Sequence, residues 1–466
     1  MSVPVVTVAQ MRAWEDASWA AGCEVNEVMR RAGEFVARRA MAMTCDGDTI
    51  LLLAGKGNNG SDTRLAAEHI QERKVLLADI SGEDCLPLIR EKLAGKPALV
   101  VDGLFGIGLN RVLEGVWVEL VEAVNVSGLT VLAVDTPSGL NADTGEPMGT
   151  AVRADVTVTF GGPKLGLLEN RAAEFVGRLE TAADIGLIQC SEQTGLNWVL
   201  PEDFNDFPPI RPVNSHKGTF GHLGIIAGSM GFHGAAVLAA RASQRAQPGL
   251  ITLLTPENVY RPVASQLRAQ MVHSWTVDSI ERLAKCTALL AGPGLANEEL
   301  PRDLRDEVIR FWREDERPVI LDATALGWLK PGKTPESALR VITPHPGEAA
   351  RLLETSSDAL QVDRCAALRE LAARYDCCVV LKGNRTLIGG AEGGICVNSS
   401  GNPHLAQGGS GDVLAGFIGG WLAQPWAQLV SGRALNYAIW SHGSAADFLS
   451  SQETGWGMDE LITALK

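Results

Sequence analysis

Short, uninterrupted apolar runs rich in β-branched residues alternate with helical segments along almost the whole chain. The runs are Thr49–Ala54, Val75–Asp79, Ala98–Asp102, Thr130–Asp135 and Asp155–Phe160, then His222–Ala227, Leu250–Leu254, Ala288–Ala291, Pro318–Leu321, Arg340–Ile342 and Cys377–Leu381. A strand with no polar alternation is buried on both faces, which requires a parallel sheet covered by helices on each side. The alternation stops at Pro201–Pro212, where four prolines stand among acids and aromatics, and then restarts. The expected fold is therefore α/β, in two domains, 1–200 and 201–466. The first is a Rossmann-like, doubly wound parallel sheet, preceded by a helical stretch over Val8–Ala42. In the second, Leu387–Gly389 and Ile395–Asn398 read as a hairpin. An amphipathic helix is expected from about Ser410 to Gln424, with Val413, Phe417 and Trp421 on its apolar face.

In an open parallel sheet, ligands bind beyond the carboxyl ends of the strands. The first domain places four loops there: Gly55–Asp62, Asp102–Leu109, Asp135–Gly145 and Gly161–Lys164. Gly55, Gly57 and Gly60 spell GxGxxG between a strand and a helix. Asp79 follows at about the distance of a ribose-binding acid. Alone, this spacing fits a nicotinamide oxidoreductase no better than a tight turn made of glycines. Asp62 reads as the N-cap of a helix running to about Glu72. Asn59, Asp102 and Ser138 add hard oxygen ligands at strand ends, suited to a cation, although turn hydrogen bonding accounts for each singly.

The second domain carries the sharper signal, Gln407-Gly-Gly-Ser-Gly-Asp-Val-Leu414 ahead of a helix. Glycines at a helix N-terminus leave N–H groups free to hold an anion. Asp412, beside them, suits a base at a phosphoryl-transfer site, against the simpler role of a first-turn helix stabiliser. His345 is locked between prolines after a strand, which favours ligand contact. Lys382 and Arg385 could neutralise phosphates, or could simply be solvated.

Composition narrows the partners. The formal net charge is −14 and no Lys/Arg stripe appears, so nucleic acid is not an expected partner. No apolar run reaches the roughly 20 residues of a membrane span. The first residues lack a secretory pattern. The nine cysteines are scattered without a CxxC pair, and adjacent Cys377 and Cys378 read as core. These features fit a cytoplasmic enzyme acting on small molecules, expected to assemble as a homo-oligomer.

Four segments of the first domain, GNNGSD, VDGLFGIGL, AVDTPSGLNADTG and DVTVTFGGPKLG, resemble the epimerases of hydrated NADH and NADPH. The resemblance implies a dinucleotide held by Asn58, Asn59, Gly60, Ser61 and Asp62, by Gly106, Ile107, Gly108, Leu109, Asn110, Arg111 and Val112, and by Asp135. It implies K⁺ at Asn59, Asp102 and Ser138, and acid/base or charge-stabilising work for Asp135 and Lys164. One departure is that the family's GNNGGDG reads GNNGSDT here. If those glycines need positive φ or close ligand approach, Ser61 and Thr63 introduce strain or a block, leaving a binding-only domain as an alternative.

In the second domain, GGSGD resembles the ribokinase-like superfamily. Together with SHKG, GPGL, LDATAL, TPHPGE, LKGNRT and GNPHLAQGGSGDVLAG it resembles the ADP-dependent dehydratases of the same hydrates. That implies a ribokinase-like α/β fold. The hydrated dinucleotide would meet Ala235, Gly294, His345 and Asp412. ADP would meet Lys382, Gly383, Asn384, Arg385 and Thr386, together with Gly408, Gly409, Ser410 and Gly411. Mg²⁺ would bridge phosphates, and Asp412 would act as base. Ala296 for a frequent glycine, and Gln247-Pro248 in a turn, depart from the pattern without touching the anion loop. A ribokinase-like small-molecule kinase is the alternative in this half.

Overall fold

The fold was obtained as a computed structural model, describing residues 2–80, 82, 85–192, 194–296, 300–452 and 455–466. The chain divides into two compact units, Met1–Leu200 and Pro201–Lys466. No helix among the described residues is long and apolar enough to cross a membrane.

The first unit is built on a parallel sheet in the order Lys74–Asp79, Thr49–Ala54, Leu99–Gly103, Val131–Val134, Val156–Phe160, Arg178–Ala182. Alternate residues of the strands Thr49–Ala54, Leu99–Gly103 and Val131–Val134 enter two separate cores. Ile50, Leu52, Val101 and Val134 pack with the helix Val25–Ala42, while Leu51, Leu53, Val100 and Ala133 pack with Leu86–Ala94 and Val116–Val126. Both faces are covered, which is why the strands carry no polar alternation. Strand order reverses between Thr49–Ala54 and Leu99–Gly103, so the loops after these two strands flank the switch point. They touch closely, since a Cβ on Gly55 would lie 2.0 Å from the Leu104 carbonyl oxygen.

The helical stretch near the start is two helices, Val8–Ala20 and Val25–Ala42. Thr7 and Gln10 close a capping box on the first. The helix expected from Asp62 begins earlier, at Asn58, and ends at His69. Its N-cap is Gly57, without a side-chain hydrogen bond, so Asp62 is an interior helical residue and not a cap. The strands Val3–Pro4, Arg178–Ala182, Leu196–Trp198 and Met271–Ser274 went unread because they are short or polar. Val3–Pro4 and Leu196–Trp198 pair antiparallel.

In the second unit the strand order is Ile395–Val397, Leu387–Gly389, Cys378–Leu381, Arg340–Ile342, Val319–Leu321, Ala288–Ala291, His222–Ile226, Leu250–Thr255, Met271–Ser274. The first three are joined antiparallel, which includes the expected hairpin, and the rest run parallel. The helix Ser410–Leu422 is not amphipathic. Nearly every residue from Val413 to Leu422 is buried, its glycines included. A Cβ on Gly416 would stand 2.1 Å from the Ala239 carbonyl oxygen, and one on Gly420 2.5 Å from that of Ser243. The two glycines, one turn apart, let this helix lie directly on the backbone of the helix His233–Arg245. The proline-rich stretch is no loose linker either. Phe204 and Phe207 are buried in an aromatic cluster with Trp421, Trp426, Tyr437 and Trp440. Cys377 and Cys378 are free thiols, half-buried rather than fully in the core, and burial pushes both pKa values upward.

Candidate functional site

In the first unit the polar groups gather at the switch point. Asp102 ends its strand fully buried. It accepts from the Ser138 amide (2.8 Å) and hydroxyl (2.6 Å) and from the Leu104 amide (3.3 Å). Burial raises its carboxyl to about 6, with the Ser138 and Leu104 hydrogen bonds pulling the other way. Ser138 Oγ also accepts from the Phe105 amide at 2.9 Å. Asn59 Nδ2 donates to the Phe105 carbonyl at 3.1 Å, yet its Oδ1 is buried with no hydrogen-bond partner. A buried acceptor without a donor calls for a ligand or water. Asn59, Asp102 and Ser138, distant in sequence, thus share one connected network through Phe105, and the unpaired Oδ1 fits a hard cation better than an anion.

The second element is a buried ion pair. Lys164 is 1% exposed; its Nζ donates to Asp135 Oδ1 at 2.5 Å, to Thr159 Oγ1 at 3.0 Å and to the Phe160 carbonyl at 3.1 Å. Asp135 holds φ at 61°, a conformation costly for a side-chain-bearing residue, and accepts further from Thr159 Oγ1 and the Phe160 amide. Asp62 faces this pair electrostatically. Burial lifts its carboxyl well above the usual range, Asp135 and Glu15 add to that, and Lys164 opposes it. Glu15, from the helix Val8–Ala20, is raised in the same way by burial, with Lys164 lowering and Asp135 raising it. Glu15 is not legible in the sequence, because an acid within a surface helix resembles any solvated residue.

Ser61 and Thr63 do not bring the anticipated strain. Both lie in the helix Asn58–His69, and neither has positive φ. Thr63 Oγ1 donates to the Asn59 carbonyl at 2.8 Å and fills the space above Gly103, where a Cβ would meet it at 1.7 Å. Gly60 is required by packing, since its Cβ would lie 1.9 Å from the Gly55 carbonyl oxygen. Asn58, Gly108, Asn110, Arg111 and Val112 are exposed, whereas Ile107 packs toward Val6, Met11 and Trp14, and Leu109 toward the sheet core. Gly106 abuts the Asn59 side chain. Asp79 is paired with Arg64 Nε at 2.7 Å, which accounts for it without a ribose.

In the second unit, Gly409 takes φ 96° as N-cap of the helix Ser410–Leu422. A Cβ there would lie 2.6 Å from Leu238, so packing as well as turn geometry demands glycine, while Gly408 faces open space. A Cβ on Gly411 would lie 3.3 Å from Lys382 Nζ, which places the lysine at the start of the helix. Lys382 Nζ donates to Asp322 Oδ1 at 2.9 Å and lies 4.0 Å from Glu348 Oε2. Burial alone would depress Lys382, but Asp322, Glu348 and Asp412 hold it above its ordinary value. Asp322 also accepts from Thr343 Oγ1 at 2.5 Å. Burial, then Asp322 and Glu348, push Asp412 up to about 7, with Lys382 opposing. A carboxylate titrating near neutrality at a helix start is poised for proton transfer. Lys382 and Asp412 stand out in the sequence, whereas Asp322 and Glu348 enter there only as members of LDATAL and TPHPGE, with no role of their own.

His345 is committed locally. Its Nδ1 accepts from the Gly347 and Glu348 amides at 3.0 and 3.3 Å, capping the helix Pro346–Leu353. The neutral ring then carries its proton on Nε2, which lies 3.5 Å from Glu348 Oε1. Burial lowers its pKa, with Glu348 opposing. Any ligand contact is left to the half-exposed Nε2 edge. Gly294 (φ 65°) and Ala235 pack directly, with a Gly294 Cβ only 2.9 Å from that of Ala235. Arg385 (φ 55°) is buried, and its pKa falls to about 10 through burial and the neighbouring Arg364. Gly383 sits at φ 140°, and Thr386 Oγ1 donates to its carbonyl at 3.2 Å. Asn384 lends its carbonyl to Arg364 at 2.6 Å.

Comparisons with known proteins match both units. The family described as NAD(P)H-hydrate dehydratase matches residues 223–465, and that described as YjeF-related protein N-terminus matches 25–84 and 76–166. A bifunctional NAD(P)H-hydrate repair enzyme of Coxiella burnetii is 35% identical over 94% of this chain and 93% of its own. Among solved structures, a ribokinase-like superfamily protein of Enterococcus faecalis is 26% identical, covering 59% of this chain and 95% of its own, with a TM-score of 0.52. An ADP/ATP-dependent NAD(P)H-hydrate dehydratase of Bacillus subtilis, co-crystallised with ATP/Mg²⁺, is 32% identical over 55% of this chain and 91% of its own, with a TM-score of 0.49. With both halves matched and a relative aligned over nearly its whole length, the chain belongs to the family of bifunctional NAD(P)H-hydrate repair enzymes.

Proposed function

We propose that residues 1–200 interconvert the epimers of hydrated NADH and NADPH, and that residues 201–466 dehydrate one of them, the S form, at the expense of ADP. The observation that carries the second activity is Asp412, held near neutrality beside a glycine-started helix and a buried lysine. Hydroxide is a poor leaving group. Asp412 takes the proton of the hydroxyl on the sixth ring carbon as that oxygen attacks the terminal phosphorus of ADP. The bridging P–O bond breaks and AMP leaves. The C–O bond of the phosphorylated ring then breaks, inorganic phosphate departs, the neighbouring carbon loses a proton and the double bond returns.

Amides of Gly408 to Gly411 and the Lys382 ammonium stabilise charge on the transferring group. Asp322 keeps the lysine in place and charged. Gly383 to Thr386 line the nucleotide, and Ala235, Gly294 and the Nε2 edge of His345 line the dinucleotide. Among the described residues no cluster of three His, Cys, Asp or Glu could hold a metal ion by itself. Mg²⁺ would therefore enter with the nucleotide phosphates and would neutralise part of their charge.

In the first unit, Asn59, Asp102 and Ser138 would hold K⁺, which would supply positive charge toward the anionic dinucleotide. The unpaired Asn59 Oδ1 supports this assignment. The Asn58–Asp62 turn and the Gly106–Val112 loop bind the dinucleotide, and Asp135 with Lys164 moves or stabilises charge at the ring. The relaxed backbone of Ser61 and Thr63 favours an active epimerase over a binding-only unit.

The test is recovery of dihydronicotinamide absorbance from hydrated NADH with ADP and Mg²⁺. It should be ADP-dependent and vanish in Asp412→Ala. Full activity in that variant refutes the assigned base, and accumulation of a stable phosphorylated alcohol would instead identify a kinase.

A further inference from the structure

The helix Arg364–Tyr375 begins with a residue that does no helical work there. Asp363 caps the helix by accepting from the Ala366 amide at 2.8 Å, and the Arg364 side chain turns away to the loop between the strands Cys378–Leu381 and Leu387–Gly389. Its Nη1 donates to the carbonyls of Asn384 (2.6 Å) and Arg385 (3.5 Å), and its Nη2 reaches those of Leu381 (3.3 Å) and Lys382 (3.5 Å). Those four residues bracket the loop's two unusual torsions, Gly383 at φ 140° and Arg385 at φ 55°. A Cβ on Gly383 would come 3.1 Å from Nη2, so the guanidinium and the glycine backbone are fitted to one another. Arg364 Nε is buried and makes no hydrogen bond.

The charge balance is as informative as the geometry. Among the described residues no carboxylate stands within ion-pair distance of Arg364, and its pKa is lowered by burial. Arg385 lies close enough for the two guanidiniums to oppose each other. Lys382, one residue before Gly383, is already matched by Asp322. A half-buried guanidinium such as that of Arg364, with no carboxylate beside it, is costly, and that cost falls when a phosphate arrives. A neutral amide side chain has only two N–H donors for these four carbonyls, so the loop uses the guanidinium's fork, while its net charge meets no carboxylate among the described residues.

We propose that Arg364 is a positioning residue of the nucleotide site. It fixes the Lys382–Thr386 loop in its bound shape and supplies half-buried positive charge whose counter-ion is the polyphosphate of the nucleotide. This rests on the reading of that loop as the nucleotide contact. Arg364 acts through the loop and is assigned no chemical step.

The experiment uses the full chain, with ADP as the calorimetric probe, for the parent protein, Arg364→Lys and Arg364→Gln. Dehydratase kinetics on the hydrated dinucleotide run in parallel. The expected result is an ADP Kd and KM raised by about tenfold or more in Arg364→Gln, and less in Arg364→Lys, because a point charge replaces the fork but not its four carbonyl contacts. At saturating ADP, kcat should stay within about threefold, because Asp412 and the glycine loop are untouched. Added guanidinium should recover part of the ADP affinity in Arg364→Gly. An unchanged ADP Kd in Arg364→Gln, or a fall in kcat with KM for ADP unaltered, overturns the proposal. Should Arg364→Gln fail to fold, Arg364→Lys decides by the same two criteria. If the parent binds ADP but turns over no hydrate, the dehydratase reading falls while the Kd comparison still judges Arg364.

Discussion

At the scale of single residues, Asp412 shows a conflict between stability and chemistry. Its carboxyl is raised from 3.8 to about 7, chiefly by burial. The folded protein therefore holds a proton that the unfolded chain has already released between those values. Stability conferred by the protonated form is complete below about pH 4 and lost as pH rises toward 7. Asp412→Asn removes that cost. It should raise unfolding free energy at pH 8 by roughly 1–3 kcal/mol while dehydration falls by about three orders of magnitude. Urea melts and turnover on the same preparation check both. The base must be ionised to accept a proton, so kcat/KM of the parent should climb through about pH 7 and level above it, a limb absent from any residual activity of Asp412→Asn. The same residue marks how far a sequence can be read. GGSGD announces Asp412 because the glycines surround it. Asp322 and Glu348 stand inside LDATAL and TPHPGE and Glu15 in an ordinary helix, but no local pattern says that they act on Asp412 or on Asp62 across the fold.

At the scale of elements, the strands were legible because burial on both faces leaves a continuous apolar run, and misread where that pattern weakens. Arg178–Ala182 is an edge strand with charged residues, and Val3–Pro4 is two residues long. The helix start at Asn58 was missed because Gly57, not an oxygen-bearing side chain, caps it. The Ser410–Leu422 helix reads as amphipathic because its glycines look neutral in a hydrophobic pattern, when they are in fact the contact surface. Gly416→Ala tests that surface. With a backbone oxygen 2.1 Å from the new Cβ, the helix must move off His233–Arg245. The expected loss is about 2–4 kcal/mol, a fall in Tm of roughly 4–12 °C. The shift would also move the Ser410–Asp412 turn, so ADP affinity should drop with stability. A Tm within a degree of the parent would mean the helices are not in close backbone contact.

For the whole molecule, the two units make separable predictions. A mixture of the two epimers should be repaired completely by the parent, because dehydration of the S form draws the R form through epimerisation. Asp135→Asn removes the carboxylate bonded to Lys164, whose ammonium is 1% exposed and would keep only neutral hydrogen-bond partners, with Asp62 and Glu15 the carboxyls left near it. A buried ion pair broken on one side costs about 3–5 kcal/mol, so the first unit should also lose stability. Lys164→Met with Asp135→Asn is the better-matched control, because it leaves no orphaned charge. In both variants recovery of absorbance should start at the parent's rate and stop at the fraction of S hydrate initially present, continuing thereafter only at the rate of uncatalysed epimerisation. Replacing K⁺ by Na⁺ should slow that second stage alone, since Asn59, Asp102 and Ser138 belong to the first unit and Asp412 and Lys382 to the second. An initial rate that falls with the plateau would show that the first unit contributes to dehydration itself. Complete repair at the parent's speed by both variants would remove Asp135 and Lys164 from the epimerase reaction.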